Sequence, residues 1–257
     1  MSPVRLEWQT REGVPLLCAR GTHATIAFTT RQGGVSAGDF ASLNLGFATP
    51  DDAAAVAENR RRAVSAAGGD PERALSLRQV HGSAVLDGAP APPGAYLDAS
   101  RSWPEGDALI TSEPGVPLIA HGADCLTAAL VAPGGERLAV VHAGWRGLVA
   151  GVLEAAGERV GEGFSAVIGP GAGACCYAVC DDVAEPLRAR FGDDVVAEGH
   201  ADLAACARRA LERAGAAEVL SARLCTICEP EWFHSHRRDG RGSGRQGVVA
   251  FIEEDRQ

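Results

Sequence analysis

Three short segments of the chain place a metal-binding side chain beside glycine, at or near the end of an apolar run. They are RQVHG (78–82), HGADC (121–125) and VVHAGWRG (140–147). Short apolar runs predict β-strands, and strand ends lie at sheet rims where side chains from different strands converge. His81, Cys125 and His142 are therefore a candidate His/His/Cys zinc set. Three protein ligands leave the fourth position of zinc open, which is typical of catalytic sites.

Other interpretations of these residues stay open. Each of the three side chains can instead end a strand without meeting a metal, and His121 competes as a ligand. A second candidate site is Cys225-Thr-Ile-Cys228 followed by His234 and His236, because C-x2-C with nearby histidines is typical of structural zinc. The apolar residues around these two cysteines favour a buried strand instead.

Arginine is the candidate anion ligand. Arg146 follows His142 at the predicted start of a helix, where free N–H groups and a partial positive charge favour phosphate or carboxylate. Arg31 lies in an earlier polar loop. Each of these arginines can alternatively be a solvated surface residue that binds no ligand. The glycine-rich GPGAGACC (169–176) lacks the lysine of a P-loop and predicts a tight turn. Further arginines lie in a late polar segment: Arg237, Arg238, Arg241 and Arg245.

The hydrophobic pattern predicts the elements that position these residues. Strands are predicted over 22–30, in short runs within 107–145, and over 164–171, 219–228 and 247–252, with a strand–turn–strand unit over 75–85 that turns at His81-Gly82. Helices are predicted over 51–67, 147–160, 181–191 and 202–214, and loops over 31–46 and 87–106. No repeat or linker divides the chain. We therefore expect residues 1–257 to form a single α/β domain with mixed sheets.

Composition limits the classes of function. The 257 residues carry a net charge of -9, which argues against a general nucleic-acid binder because such proteins present a basic face. A local arginine cluster remains compatible with a small anionic substrate. No window of 18 apolar residues predicts a membrane span, and the first residues lack the apolar core of a signal peptide. We expect a cytoplasmic protein.

Lysine and cysteine usage narrow the chemistry further. All 24 basic residues are arginine, so a Schiff-base lysine and a P-loop lysine are both excluded. Eight cysteines in a cytosolic chain favour free thiols or metal ligands over disulfides.

The motifs together resemble a known family. TTRQGGVSAGDFASLNLG, RQVHG, ADC, VVHAGWRG, IGPGAG and the late FHSHRRDG follow one another as in the YfiH-like laccase-domain family, over roughly residues 22–252. This resemblance implies a four-layer α/β/β/α sandwich with mixed sheets. It also implies zinc at His81, Cys125 and His142. The implied activity is phosphorolysis of adenosine, inosine, guanosine and methylthioadenosine, with adenosine deamination as a further activity.

The chain departs from the family pattern at three places. Leu126-Thr127 follows the ADC motif where the family has a hydrophobic residue and proline. Ala178 replaces a glutamate after Tyr177, and His234 replaces the second aromatic residue before Ser-x-Arg-Arg. None of these positions is a proposed ligand. The last two put the substrate preference in doubt.

The two implied reactions make different demands on the site. Deamination fits a zinc ion that activates water. Phosphorolysis needs a phosphate aimed at C1′ of the ribose, for which Arg31 and Arg146 are the candidates. The candidate ribose or phosphate contacts are Ser42 and Asn44. Asp107 and Asp124 are candidates for proton transfer, and either one equally suits a turn or cap.

Three competing functions remain at this stage. A copper-dependent polyphenol oxidase fits poorly, because the seven histidines are scattered and the only methionine is Met1. The same set can nevertheless take copper in place of zinc. A thiol hydrolase would use Cys125 as nucleophile and a histidine as its base. A binding module without activity is the third alternative, and turnover of any nucleoside would exclude it.

Overall fold

A computed structural model describes residues 4–254 of the chain. Its strands are β1 (Arg5–Arg11), β2 (Val14–Arg20), β3 (Ala24–Thr29), β4 (Val85–Asp87), β5 (Ala108–Thr111), β6 (Leu118–Gly122), β7 (Leu126–Val131), β8 (Leu138–Ala143), β9 (Ser165–Ile168), β10 (Val196–Ala197), β11 (His200–Ala201), β12 (Glu218–Ser221) and β13 (Gln246–Ile252). Its helices are α1 (Ala53–Ala67), α2 (Trp145–Ala150), α3 (Val152–Val160), α4 (Asp181–Phe191), α5 (Leu203–Arg213) and α6 (His236–Asp239).

Most of the strands form two large sheets. The first has the order β1-β2-β3-β13-β6, and all its neighbours are antiparallel. The second has the order β12-β9-β7-β8-β5-β4 and is mixed, because its two edge strands are parallel to their neighbours. In the second sheet, antiparallel pairing sets the start of β7 beside the end of β8, with Leu126 opposite Ala143. This register later decides which side chains meet.

Strand alternation builds the layers, since successive side chains point to opposite faces of a sheet. Leu17 and Val140 belong to the core between the two sheets. Their neighbours Leu16 and Val141 point the other way, Leu16 into the core under α1 and Val141 into the core under helices α2 to α5. Helix, sheet, sheet and helices are thus stacked around three apolar cores. The expected four-layer α/β/β/α sandwich is confirmed.

Several element predictions are confirmed closely. Helix α1 begins after Asp52, whose carboxylate accepts the N–H of Ala55 at 2.8 Å, and it ends at Gly68 in the left-handed conformation. The structure also contains the predicted helices at α4 and α5. These segments carry their own caps and an apolar stripe, which are local signals. None of the helices within residues 4–254 is both long and apolar enough to cross a bilayer.

Other element predictions are wrong, each for a physical reason. Residues 75–84 do not form a regular strand, because the N–H groups of Val80, His81 and Gly82 go to the carboxylate of Asp107 rather than to a neighbouring strand. The helix predicted over 147–160 is interrupted at Gly151, which has a φ of 87°. The strand predicted over 219–228 stops at Ser221, and its cysteines lie in the turn beyond.

Candidate metal centre

The structure brings together the three residues that the sequence singled out. The donor atoms of His81, Cys125 and His142 all lie within 4.8 Å of one another. The two imidazole rings meet edge to face, with centroids 4.8 Å apart and planes at 83°. His142 is buried, Cys125 is half-buried and His81 is exposed. The set therefore lies at the ends of two central strands, where the buried sheet opens to solvent.

Two neighbouring strands position two of these residues. Cys125 immediately precedes β7, and His142 is the penultimate residue of β8. Thr127 pairs with His142 in the antiparallel register, which brings the start of β7 and its preceding cysteine to the imidazole. Residues 17 positions apart in sequence thus become neighbours through one strand pair.

Asp107 positions both histidines. Its side chain is fully buried, and its Oδ1 lies 2.8 Å from Nδ1 of His142. The same carboxylate accepts the backbone N–H groups of His81 at 2.9 Å and Gly82 at 2.7 Å. Burial opposes its ionisation, but these hydrogen bonds, led by the one from His142, hold the pKa of Asp107 below its ordinary value. A carboxylate at Nδ1 leaves Nε2 of His142 for a metal.

Backbone conformation brings the ligands close together. His81 has a φ of 61° and Asp124 a φ of 87°, so both turns use the left-handed region that non-glycine residues rarely adopt. Gly144 completes the cradle, because a Cβ there would lie 2.8 Å from Sγ of Cys125. The glycine of the HAGWRG motif is therefore required by the packing of the cysteine sulfur.

The electrostatics of the set favour an ionised thiol. Burial raises the pKa of Cys125, but hydrogen bonds from His142 and His81 outweigh it and lower that pKa to about 6. Burial likewise disfavours the charged form of His142, yet Asp107 and Cys125 raise its pKa to about 9. A thiolate and two imidazoles with an anchored tautomer are the ligand types that zinc and its neighbours in the first transition series prefer. The residues present fit a metal with an open coordination position.

A cavity of about 750 Å³ opens onto this set. Its volume is in the range typical of small-molecule sites. Phe47 and Trp103 contribute aromatic rings to the wall, and His236 contributes an imidazole. The cavity also carries a concentration of cationic side chains: Arg60, Arg78, Arg101 and Arg245. The arrangement suits a ligand that combines a flat apolar ring with an anion.

His121 lies on the cavity wall but outside the metal-binding set. Its Nε2 lies 2.9 Å from the hydroxyl of buried Tyr96, and the two rings stack at 10°. Gln79 fixes its backbone, accepting the N–H and donating to the carbonyl of His121, each at 2.8 Å. Burial and nearby arginines hold the pKa of His121 well below its ordinary value. The structure thus pairs His121 with Tyr96, whereas Cys125 lies with His81 and His142 in the candidate set.

Arg60 is a cavity residue that the sequence analysis missed. Its guanidinium is buried, stacks 3.9 Å from the ring centre of Phe47, and donates to the carbonyls of Leu45 and Tyr96 at 2.8 and 2.7 Å. The available signal was its place on helix α1, four residues after buried Val56. A charged residue on the apolar stripe of a helix is unusual and marks a specific contact.

Arg31, Ser42 and Asn44 hold the polar loop between β3 and α1. Arg31 donates to the carbonyls of Ala41 at 2.8 Å and Pro230 at 3.0 Å. The Ser42 hydroxyl lies 3.1 Å from both the Gly34 N–H and the Arg31 carbonyl. Asn44 is fully buried and bonds to Thr49, Asp51, Gly46 and Arg245. This network fixes the loop that ends in Phe47 at the cavity wall.

Arg146 is exposed and stacks on its neighbour. Its guanidinium carbon lies 4.4 Å from the centre of the Trp145 ring, and Trp145 packs against the core beneath α2. Arg146 is the second residue of helix α2, which has six residues. Arg146 follows His142 by four positions, and it is not among the described residues that line the cavity.

Asp124 is committed to structural contacts. Its two carboxylate oxygens accept the Thr226 hydroxyl and the Arg237 N–H, both at 2.6 Å. Asp107 is equally engaged by His142 and the 80–82 backbone. The sequence allows these carboxylates either proton transfer or a place in a turn or cap. The contacts of both carboxylates match the turn or cap. These contacts place the two carboxylates beside Cys125 and the histidines.

The prediction of a zinc site formed by Cys225, Cys228 and the following histidines is wrong. His234 is fully buried, and Nδ1 of His236 bonds the carbonyl of Gly240 at 2.9 Å. The two cysteines instead meet two others, Cys175 and Cys176. Within the described residues, this cluster and the His/His/Cys set are the groups of His, Cys or carboxylate side chains close enough to share an ion.

The fold and the His/His/Cys set place the protein in the laccase-domain class. It belongs to the family described as "Multi-copper polyphenol oxidoreductase laccase", whose sequence model matches residues 25–253. The resemblance inferred from the motifs is confirmed, and it covers nearly the whole chain.

Individual relatives agree with this assignment. A Deinococcus radiodurans protein named purine nucleoside phosphorylase is 39% identical over 251 residues, covering 93% of this chain and 94% of that protein. The crystal structure of YlmD from Geobacillus stearothermophilus matches with a TM-score of 0.88 at 32% identity, over 98% of this chain and 100% of that one. That of the hypothetical protein YfiH from Bacillus licheniformis has a TM-score of 0.87 at 27% identity, with the same coverage.

Proposed function

We propose that the protein is a zinc-dependent purine nucleoside phosphorylase that acts in the cytoplasm. The observation that carries the proposal is the His/His/Cys set opening onto a 750 Å³ cavity lined by aromatic and arginine side chains. The relative from Deinococcus radiodurans, which bears the name of this activity, supports it. The proposed substrates are adenosine, inosine, guanosine and methylthioadenosine, with deamination of adenosine as a side activity.

The reaction joins a phosphate oxygen to C1′ of the ribose and breaks the bond from C1′ to the purine nitrogen, and the departing purine takes up a proton. His81, Cys125 and His142 would hold the metal. When bound, it supplies an electrophilic centre at the cavity floor. Rings such as Phe47 and Trp103 suit a purine by stacking.

Arginines supply the anion-binding part of the proposal. Arg146 keeps its proposed role toward phosphate, because its exposed guanidinium follows the His142 turn. Arg101 and Arg245 line the cavity and join it as candidates. We propose that Arg31, Ser42 and Asn44 serve binding by ordering the loop that carries Phe47, while their direct contact with phosphate or ribose stays a prediction.

A chromatographic assay tests the proposal. Zinc-loaded protein is incubated with adenosine or inosine, with and without phosphate, beside Cys125→Ala and the matched control Cys18→Ala, which removes a buried thiol outside the cavity. Phosphate-dependent release of adenine or hypoxanthine, lost in Cys125→Ala and kept in Cys18→Ala, is expected. Conversion of adenosine to inosine without phosphate reports the deaminase activity. No turnover by metal-replete protein contradicts the proposal.

A thiol hydrolase is the second candidate, favoured by one observation. The lowered pKa of Cys125 and the raised pKa of His142 describe a thiolate–imidazolium pair, as a cysteine nucleophile requires. Chelation separates the two functions. A phosphorylase that needs its metal loses activity with chelator and regains it with Zn²⁺. A thiol hydrolase stays active with chelator and is inactivated by alkylation of Cys125.

A polyphenol oxidase has less support despite the family description. Multicopper oxidases combine a blue copper with a histidine-rich copper cluster. In the part of the chain that the structure describes, His81, Cys125 and His142 are the one ligand group that contains histidine. Oxidation of a phenol by copper-loaded protein, absent after zinc loading, is the observation that would favour it.

A further inference from the structure

We propose that the chain contains a second metal site, a structural zinc bound by four thiolates. The thiols form a group separate from the His/His/Cys set, and we call them the four-cysteine cluster. Its members are Cys175, Cys176, Cys225 and Cys228. This site is independent of the proposed activity, because it shares no ligand with the first set and needs no substrate.

Sheet topology brings the two halves of the cluster together. Strands β9 and β12 are parallel neighbours, so the segments that leave their carboxyl ends start side by side. The backbones of these segments then pair, with the Gly171 N–H donating to Leu224 O at 3.2 Å and the Thr226 N–H donating to Gly171 O at 3.0 Å. One segment carries the vicinal cysteines and the other carries the C-x2-C pair.

The sulfur spacing matches a single tetrahedral ion. All four Sγ atoms lie within 4.8 Å of one another, and Sγ of Cys228 lies 3.4 Å from Cys175 and 3.0 Å from Cys176. Zinc with Zn–S bonds of about 2.3 Å holds its four sulfurs about 3.8 Å apart. Small side-chain rotations therefore suffice to close the cluster around an ion. Four protein ligands leave no open position, which is the structural pattern.

The backbone around Cys225 is arranged as for a metal-bound sulfur. The Gly173 N–H donates to Sγ of Cys225 at 3.3 Å. A Cβ at Gly173 would lie 3.3 Å from Sγ of Cys225, so glycine permits this approach. Donors aimed at one sulfur stabilise a thiolate, the form that binds metal.

The other thiols show what an ion would contribute. Four thiolates within 4.8 Å of one another repel strongly, because like charges lie close together. A divalent cation bound among them displaces the thiol protons and neutralises part of the charge. Soft thiolate ligands without a carboxylate or imidazole select zinc over magnesium or calcium.

The cluster is well placed to stabilise the neighbouring metal centre. The segments that carry its cysteines both hold Asp124, through the Ala172 N–H at 2.8 Å to its carbonyl and the Thr226 hydroxyl at 2.6 Å to its carboxylate. Asp124 directly precedes Cys125. A zinc ion in the cluster would lock these two segments together and thereby fix the turn that presents Cys125.

Metal counting tests the proposal on the full chain. After saturation with Zn²⁺ and desalting, elemental analysis of the wild-type protein should give about two zinc ions per chain. Cys125→Ala and the double variant Cys175→Ser/Cys228→Ser should each retain about one. Cys180→Ser, which changes an exposed thiol outside the cluster, is the matched control and should retain about two. Equal zinc content in the wild type and the double variant overturns the proposal.

Cobalt substitution keeps the test decisive should the double variant fail to fold. Cys125→Ala has no cysteine in the first set, so thiolate-to-cobalt charge transfer in its Co²⁺ form can come only from another thiol site. A strong ultraviolet charge-transfer band with the visible bands of tetrahedral Co²⁺ is expected. Absence of the band, or disulfides among the four cysteines in place of bound metal, overturns the proposal. Neither result depends on nucleoside turnover.

Discussion

The His/His/Cys set and the four-cysteine cluster differ in how their ligands are held and in what they leave free. The first set has three donors, opens onto a cavity, and is oriented by the buried carboxylate of Asp107. The second has four donors, lies largely at the surface, and is supported by the backbone N–H of Gly173 at Cys225. An open set oriented by a carboxylate suits chemistry, whereas a closed set suits stability. We therefore expect loss of the first set to lower activity more than stability, and loss of the second to lower stability more than activity.

The largest effect is expected from His142→Ala. The change removes a ligand and the partner of Asp107, so kcat/KM for phosphorolysis should fall on the order of 10³-fold with loss of one metal ion. The cluster should keep its own metal. Steady-state kinetics and elemental analysis on the same preparation provide the measurement. His200→Ala, outside the cavity, is the control, and activity near wild type in a metal-depleted His142→Ala variant would contradict the assignment.

The reverse pattern is expected from Cys175→Ser/Cys228→Ser. Loss of a structural ion costs about 3 kcal/mol when free Zn²⁺ is one hundred times its dissociation constant. For a chain of this size that free energy corresponds to a fall in Tm of about 6–12 °C. Activity of the folded protein below its Tm should change less than tenfold. Calorimetry with and without Zn²⁺ measures the effect. A double variant with the Tm of the wild type, unchanged by Zn²⁺, would contradict a stabilising role for the cluster.

Sequence patterns predicted the first region well because its signals are local. Each candidate ligand lies near a glycine at one end of an apolar run, and the strands β5 to β8 follow from short runs bounded by glycine or proline. Asp107 was singled out as a nearby carboxylate. Its actual role is nonlocal, since it binds the 80–82 backbone and replaces the hairpin that the apolar pattern predicted there.

The second region escaped prediction because its signals are separated along the chain. The distance between Cys176 and Cys228 closes only through the parallel pairing of β9 with β12, which no local pattern encodes. The C-x2-C motif predicts a zinc site, but the histidines next in sequence are not its partners in the structure. The partners are instead the vicinal cysteines of the glycine-rich turn, which the strand pairing brings close. The sequence predicts a turn there but no role for its sulfurs.

A smaller effect is expected from Asp107→Asn, which tests how the first set is oriented. Asparagine keeps the size of the side chain but loses the charge that supports His142, and its amide cannot accept at both positions. Zinc affinity should fall about 10–100-fold. Competition with a chromophoric chelator measures the dissociation constant. Asp98→Asn, a carboxylate elsewhere on the cavity wall, is the matched control, and equal losses in both variants would deny Asp107 a specific role.

The smallest effect concerns His234, in the segment that joins the two regions. This segment reaches the cavity through His236, and its Arg238 donates to the carbonyl of Thr226 in the C-x2-C turn at 2.8 Å. His234 is fully buried, and neither ring nitrogen has a hydrogen-bond partner within the described residues. Burial, with Arg31 and Arg245, lowers its pKa to about 3. The folded state therefore keeps it neutral where the unfolded state protonates it.

The sign of the pH effect follows from that difference. Between the unfolded pKa of about 6.5 and the folded value the unfolded chain binds more protons, so stability falls as pH decreases. Between pH 7 and pH 5, His234 should lower the free energy of unfolding by about 2 kcal/mol. His234→Phe should remove that share, while His121 keeps its own. Urea unfolding at both pH values measures it. His23→Phe, at an exposed position, should keep the wild-type change of unfolding free energy with pH. The same pH dependence in His234→Phe as in the wild type would contradict a buried neutral imidazole at this position.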